Sequence, residues 1–314
     1  MTSVTTSDEL FCELPSGFRI CYRLSGDEGG EPLLLIAGLG LHMTSWPRAL
    51  VDGLVAQGFR VITFDNRDVG RSSRATARPP GLARQLFRRI TPDSYDLGDM
   101  ANDTMGLLDF LRIKQVHLVG MSMGGMIAQT IASRHPERVR SLTSIFSTTG
   151  DSRIGQPALS TLWRFTKPRP RTRDEAVESY LGMARHIGPA GLDEQGARTY
   201  AAEAWDRGDG ATAHRGIARQ VGAIMKSGDR TEQVRQITAP TLVIHGDVDH
   251  MVNPNGGRAT ADAIPGAKHV TIHGMGHYLS EAISPRLVDL IVDNTRRPAP
   301  AHDGPPRRSR DAAH

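Results

Sequence analysis

The 314-residue chain is short of aromatics, at 5 %, of lysine, with four among its 38 basic residues, and of cysteine, with two. No basic stripe is interleaved with aromatics, so the footprint of a nucleic-acid binder, which needs cations for phosphates and rings for stacking, is missing. The arginines are dispersed among 34 acidic residues, and the formal charge is only +4. No run of about 18 apolar residues occurs. The N-terminus, Met1-Thr-Ser-Val-Thr-Thr-Ser-Asp8, has neither a charged n-region nor an apolar h-region. A soluble, cytoplasmic protein with no transmembrane segment and no nucleic-acid partner is expected. Cys12 and Cys21 flank Ser16-Gly17 in what reads as a hairpin, where a two-residue turn would set them opposite each other. Without an export signal, reduced thiols are expected rather than a disulfide. Neither C-x-x-C nor H-E-x-x-H occurs, so no metal site is expected.

What the chain does have is alternation. Apolar, β-branched runs at 32–37, 58–64, 115–120, 139–146, 239–245 and 268–273 are separated by helical patterns such as 99–111, whose apolar side is Met100, Met105, Leu107, Leu108 and Leu111. Strand, helix, strand in repetition predicts an α/β fold with a mostly parallel, doubly wound sheet. From 151 to 235 the alternation stops, and Pro, Arg and Gly interrupt helical pieces. An insertion there, after the sixth strand, would roof the carboxyl ends of the sheet, where open α/β folds bind ligands. The expected organisation is a core of 8–150 and 236–296, a helical cap of 151–235, and disordered tails at 1–7 and 297–314. Trp163, Phe165 and Trp205 of the cap are candidates for a substrate pocket, and the basic run Arg164 to Arg173 reads as a solvated linker. The Pro- and Arg-rich connection 74–94 is expected over the site.

One stretch organises the rest: Val116-His-Leu-Val-Gly120-Met-Ser122-Met-Gly124-Gly125. A strand-like run passes through a Gly-flanked serine directly into a helix that stops before Pro136. That is the context a nucleophile elbow, G-x-S-x-G, requires, because the strained turn leaves no room for a Cβ on either side. Earlier, Gly38-Leu39-Gly40 ends a strand in a loop of bare amides; a dinucleotide fingerprint would need a third glycine where Met43 stands, so half of an oxyanion hole is the better use. A serine hydroxyl needs a histidine to take its proton and a carboxylate to orient that histidine. Of twelve histidines, His277 follows Gly274-Met-Gly276 in a loop past the last strand and can reach Ser122, whereas His273 reads as a packed strand-end residue. For the carboxylate, Asp247 and Asp249 share one turn, and Asp151 follows the preceding strand.

Residues 33–40, 65–72, 120–125, 245–249 and 274–277 together resemble, in order, the oxyanion loop, D-x-R-x-x-G-x-S turn, elbow, acid turn and histidine loop of the α/β-hydrolase superfamily of serine hydrolases. The resemblance covers about residues 14–290. It implies the α/β-hydrolase fold, Ser122, Asp249 and His277 as the catalytic triad, and the backbone N–H groups of Leu39 and Met123 as the oxyanion hole. Two departures are visible: Ala37-Gly38 where members often have His-Gly, and Asp68 where they often have glycine. The second is similar to a subgroup of aclacinomycin-type methyl esterases and lipase-like esterases. A cofactor-free hydrolase acting on a small-molecule carboxylic ester or thioester is therefore expected. The same triad serves perhydrolases of the haloperoxidase type and C–C bond hydrolases, and a non-catalytic ligand-binding module is the remaining reading.

Overall fold

Eight strands form a single sheet in the order β1-β2-β4-β3-β5-β6-β7-β8. The computed structural model describes residues 4–81, 92–208 and 210–298. Most of the expected C-terminal tail, and Leu82, Arg84, Leu86, Phe87, Arg88, Arg89 and Ile90 of the 74–94 connection, lie outside them. The strands are β1 (Leu10–Glu13), β2 (Arg19–Ser25), β3 (Glu31–Ile36), β4 (Phe59–Phe64), β5 (Val116–Met121), β6 (Val139–Ile145), β7 (Thr241–Gly246) and β8 (Lys268–Ile272). β2 pairs antiparallel with both β1 and β4; every other pairing is parallel. β5 and β7 are buried along their whole length, as parallel strands covered on both faces must be, and the edge strand β8 is half exposed.

Each face carries its own core, and the two-residue period of β3 divides between them. Leu34 and Ile36 pack with Leu118 against α2 (Leu97–Phe110) and α3 (Met123–Arg134) through Met100, Leu107, Ile127 and Ile131. Leu33 and Leu35 pack with Val119 against α1 (Arg48–Ala56) and α10 (Ser284–Thr295) through Leu50, Leu54, Leu287 and Ile291. Among the described residues no helix is long and apolar enough to cross a membrane.

Between β6 and β7 lie α4 (Leu159–Arg164), α5 (Arg173–Ile187), α6 (Glu194–Arg207) and α7 (Ala213–Ser227), the helices of the stretch expected to form a cap. Its two stems meet where Arg230 N donates to Thr149 O at 2.9 Å. The Arg230 guanidinium is buried there and donates to Thr148 O, Met126 O and Gln129 Oε1, and burial pushes its pKa down to about 10. The short α8 (Thr231–Val234) that follows packs on α3 and on α9 (Asn255–Ala263). At the other end of the chain Thr6 bridges Ser25 and Ser7 N donates to Leu24 O, so those two are tied to β2 rather than loose.

The hairpin differs from expectation. Cys21 stands opposite Phe11, and Cys12 opposite Ile20. The turn between Leu14 and Phe18 has three residues, closing with Gly17 at φ +81°, and the extra residue shifts the register by one. The two sulfurs therefore point to opposite faces of the sheet, and both cysteines are free and buried. Burial pushes the Cys12 thiol up to about 11 and the Cys21 thiol up to about 12. Native protein should accordingly show no reaction with maleimide at pH 8 and two equivalents in denaturant, read by intact mass. The sign of the linkage follows: above the ordinary thiol value of 9 the unfolded chain loses protons that the folded chain keeps, so these groups lower stability as pH rises.

Candidate active site

Ser122 lies between β5 and α3 with φ +53° and ψ −121°, a conformation that costs a non-glycine residue of order 1–3 kcal/mol. The neighbours hold it there. Ser122 N donates to Ile145 O at 2.9 Å, and Ser147 Oγ donates to Ser122 O at 2.8 Å. A Cβ on Gly120 would strike the backbone of Gly124 and Gly125, and one on Gly124 would strike the backbone of Ile36 and Ala37. A serine at a helix N-cap ordinarily turns its oxygen onto the first amides; Ser122 makes no such bond. Its Oγ faces His277 Nε2 at 2.9 Å instead.

His277 follows β8 in the loop 273–280, and Phe146, just past β6 with φ +36°, packs on its ring at 4.3 Å between centroids, tilted by 44°. Its Nδ1 lies 2.7 Å from Asp249 Oδ2. Asp249, in the turn after β7, has a buried carboxylate with four partners: the amides of Met251 and Val252 on Oδ1, and His277 and His245 on Oδ2. Burial opposes its charge, but the His277 ring, these hydrogen bonds and the Val252 amide outweigh it and hold the carboxyl well below the usual range. His245 Nε2 faces two acceptors, Asp249 Oδ2 at 3.2 Å and Val252 O at 3.0 Å, so it carries the proton and acts as donor to both.

The competing residues are placed elsewhere. Asp247 accepts from His273 Nδ1 at 2.8 Å and from Gly274 N at 2.7 Å. His273 is not packed in the strand: β8 ends at Ile272, and the His273 side chain is 88 % exposed on the turn. Asp151 receives the amide of Arg153.

Opposite Ser122 runs the loop after β3, and its amides are taken one by one. Gly40 N donates to Gln220 Oε1 at 2.8 Å, Leu41 N to Gly38 O at 3.2 Å, His42 N to the Tyr200 hydroxyl at 3.2 Å, and Met43 N to Asp65 Oδ1 at 2.8 Å. The Leu39 amide has no partner among the described residues, and neither has that of Met123 in the first turn of α3. Ala37, where a histidine is common, leaves the loop to be braced from outside, by Asn66 Nδ2 on Ala37 O at 3.1 Å. Asp68 has φ +73°, which accounts for the glycine often found there. Its carboxylate takes Tyr95 OH at 2.7 Å, Ala75 N at 3.0 Å and Arg219 at 3.2 Å, and burial pushes its pKa up against these partners.

The profile of the alpha/beta hydrolase fold family matches residues 31–281. The chain belongs to the α/β-hydrolase family. Over 292 residues this hydrolase is 30 % identical to rhodomycin D methylesterase DnrP of Streptomyces peucetius, covering 86 % of this chain and 93 % of that one. Rhodomycin D methylesterase DauP of Streptomyces sp. strain C5 is similar to the same extent, 30 % over 292 residues with the same coverage. The fold matches that of the enol-lactonase from Burkholderia xenovorans LB400 with a TM-score of 0.71 at 23 % identity, covering 91 % of this chain and 99 % of that one.

The hydrolase has a half-open cavity of about 1300 Å³ that reaches Ser122 and His277, with Leu39, Phe146, Phe165, Met183, Tyr200 and Trp205 among its walls. Phe165 and Trp205 thus face it, but Trp163 does not. It is 66 % exposed, with Lys167 over its ring. The six-residue α4 turns Thr161 inward, where its hydroxyl donates to His250 O, and so turns its neighbours Leu162 and Trp163 outward. Four contributors escaped the sequence reading. Phe146 looked like a strand residue, Asn66 a turn residue, and His245 only a neighbour of the acid turn. Gln220 had no signal at all, because a polar residue in an amphipathic helix reads as solvated. Among the described residues no group of three or more His, Cys, Asp or Glu is disposed to hold a metal ion.

Proposed function

We propose that the protein is a serine hydrolase that cleaves a carboxylic ester through an acyl-enzyme, with Ser122 as nucleophile, His277 as general base and Asp249 as the acid that orients it. The observation that carries this reading is the continuous line from Ser122 Oγ to His277 Nε2 at 2.9 Å and from His277 Nδ1 to Asp249 Oδ2 at 2.7 Å. With its proton on Nδ1, donated to Asp249, the ring presents a lone pair at Nε2 to the serine O–H. As Oγ bonds to the ester carbonyl carbon, that proton passes to Nε2, and the carbonyl oxygen takes up negative charge. The two unengaged amides, Leu39 and Met123, supply hydrogen bonds to it. The imidazolium then protonates the departing alcohol. A water takes the vacated place and gives its proton to Nε2 as its oxygen bonds to the acyl carbon; the bond from that carbon to Oγ then breaks, the proton returns from Nε2 to Oγ, and the acid leaves. Every group in the cycle belongs to the chain, so the reading needs no cofactor and no metal.

The methylesterase names of the two Streptomyces relatives support an ester as the bond cleaved. The cavity exceeds the roughly 300–1,000 Å³ common for small-molecule sites, so a bulky small-molecule ester suits it. Its apolar walls predict the response to chain length: each buried methylene adds ~0.8 kcal/mol, about a fourfold gain in kcat/KM, until the wall is reached. The test is kcat/KM over p-nitrophenyl esters of increasing acyl length, with and without chelator, beside a peracid-formation assay. Hydrolysis that climbs and then falls with length, unchanged by chelator, is expected. Peracid formation with hydrolysis at background would transfer the case to a perhydrolase, and loss of activity to chelator would end the proposed mechanism.

A further inference from the structure

Helix α7 is amphipathic, yet one of its polar side chains never meets solvent. Gln220 is 0 % exposed and lies on the face that Gly216 and Ala223 turn to the core. Its amide spans two loops: Oε1 accepts from Gly40 N at 2.8 Å, and Nε2 donates to Arg67 O at 2.9 Å. The preceding residue, Arg219, donates to Asp68 and to Ala75 O. Two consecutive cap residues thus grip the Asp65–Ser72 turn, and one of them also holds the residue next to Leu39. Tyr200, from α6, adds a second grip two residues further on, through His42 N.

We infer that Gln220 is a positioning residue of the hydrolase, delivered by the cap, which fixes the peptide plane beside Leu39 so that the Leu39 N–H aims at the developing oxyanion. The inference rests on the reading of Leu39 as an oxyanion donor. Leu41 N closes a turn onto Gly38 O, so the short span 38–41 has its conformation set by that turn and by Gly40. Gly40 is at φ +68°, and glycine on its own resists few rotations of the adjoining peptide. The Gln220 bond removes that freedom. A buried acceptor matched to one amide is also costly to lose, because the Gln220 oxygen would be left unpaired away from water. Docking of α7 and alignment of the Leu39 N–H are therefore coupled: without the Gln220 side chain, Gly40 loses its partner and Leu39 its aim.

The experiment compares Gln220→Leu, which removes both bonds, with Gln220→Glu, which keeps an acceptor for Gly40. Gln220→Leu should lower kcat by about 10- to 100-fold, less than deleting a donor outright, with KM within about threefold. Affinity for a trifluoromethyl ketone, which becomes an oxyanion when Ser122 adds to it, should fall in parallel with kcat. Gln220→Glu should recover much of both. Tyr200→Phe, a milder cut in the same loop, should lower kcat in the same sense. Hydrogen exchange at Gly40 N–H, measured without substrate, should be slow in the wild type and accelerated in Gln220→Leu. A raised KM at unchanged kcat, or a loss of activity no larger than the unfolded fraction, would overturn the inference. So would a Gly40 amide whose exchange is the same in both proteins. An inert wild type whose Gly40 still loses protection in Gln220→Leu would instead condemn the ester reading.

Discussion

Ser122→Ala lowers kcat/KM for the best p-nitrophenyl ester by roughly 10⁴- to 10⁶-fold, the range seen when an activated serine is removed from a triad. The same variant takes up no fluorophosphonate, whereas the wild type takes up one equivalent per chain, located at Ser122 by peptide mass. Phosphonylation needs the same oxygen and the same base: the Oγ–P bond forms, fluoride leaves, and the proton goes to His277. The change should leave the fold intact. Alanine keeps the Cβ, meets the same positive φ as serine, and loses only the bond to His277, since Ser122 makes no capping bond to α3. The melting temperature should move by no more than a few degrees. Stoichiometric labelling at another serine would displace the site, and a variant that retained turnover would remove Ser122 from the mechanism.

Asp249→Asn is the second large effect, a fall in kcat of about 10² to 10⁴. The carboxylate Oδ1 already accepts two backbone amides, which the asparagine oxygen can still do. That choice places the new NH₂ where Oδ2 meets both His277 Nδ1 and His245 Nε2. Donor would then face donor twice. His277 escapes by moving its proton to Nε2, which turns the general base into a donor aimed at Ser122. KM should change little, because Asp249 does not line the cavity. Asp247→Asn should cost far less, since Asp247 serves an exposed pair with His273. Larger damage from Asp247→Asn or Asp151→Asn would require a different acid.

How much of this was readable beforehand depends on the range of the physics involved. The alternation of β-branched runs and helical stretches is local, and β5, β7 and α3 lie within a few residues of where periodicity put them. The Gly-flanked serine and the Gly-Met-Gly before His277 are likewise local, since each marks a backbone that cannot carry a side chain. The hairpin misled because Ser16-Gly17 looks like a two-residue turn, and only the register reveals that Pro15 belongs to it. Trp163 misled because aromatic content says nothing about which side of a six-residue helix faces in. Gln220 was illegible in principle, as its partners Gly40 and Arg67 lie 180 and 153 positions away. A residue whose meaning is long-range leaves no periodic trace.

The closed stem at Thr149 and Arg230 makes residues 150–229 an excursion that begins and ends at one hydrogen bond. Lengthening such an excursion costs little, about 0.6 kcal/mol of closure entropy per doubling. Insertions, deletions and wholesale exchange of this segment are thus tolerable to the sheet, which makes it natural raw material for recombination between relatives. Yet a borrowed segment arrives without a counterpart for Asp65, whose core carboxylate is met by Arg207 of the native one at 2.7 Å. Chimeras cut at the stem should fold more often than they work, and the ones that work should be those whose donor sequence happens to supply a cation at that place.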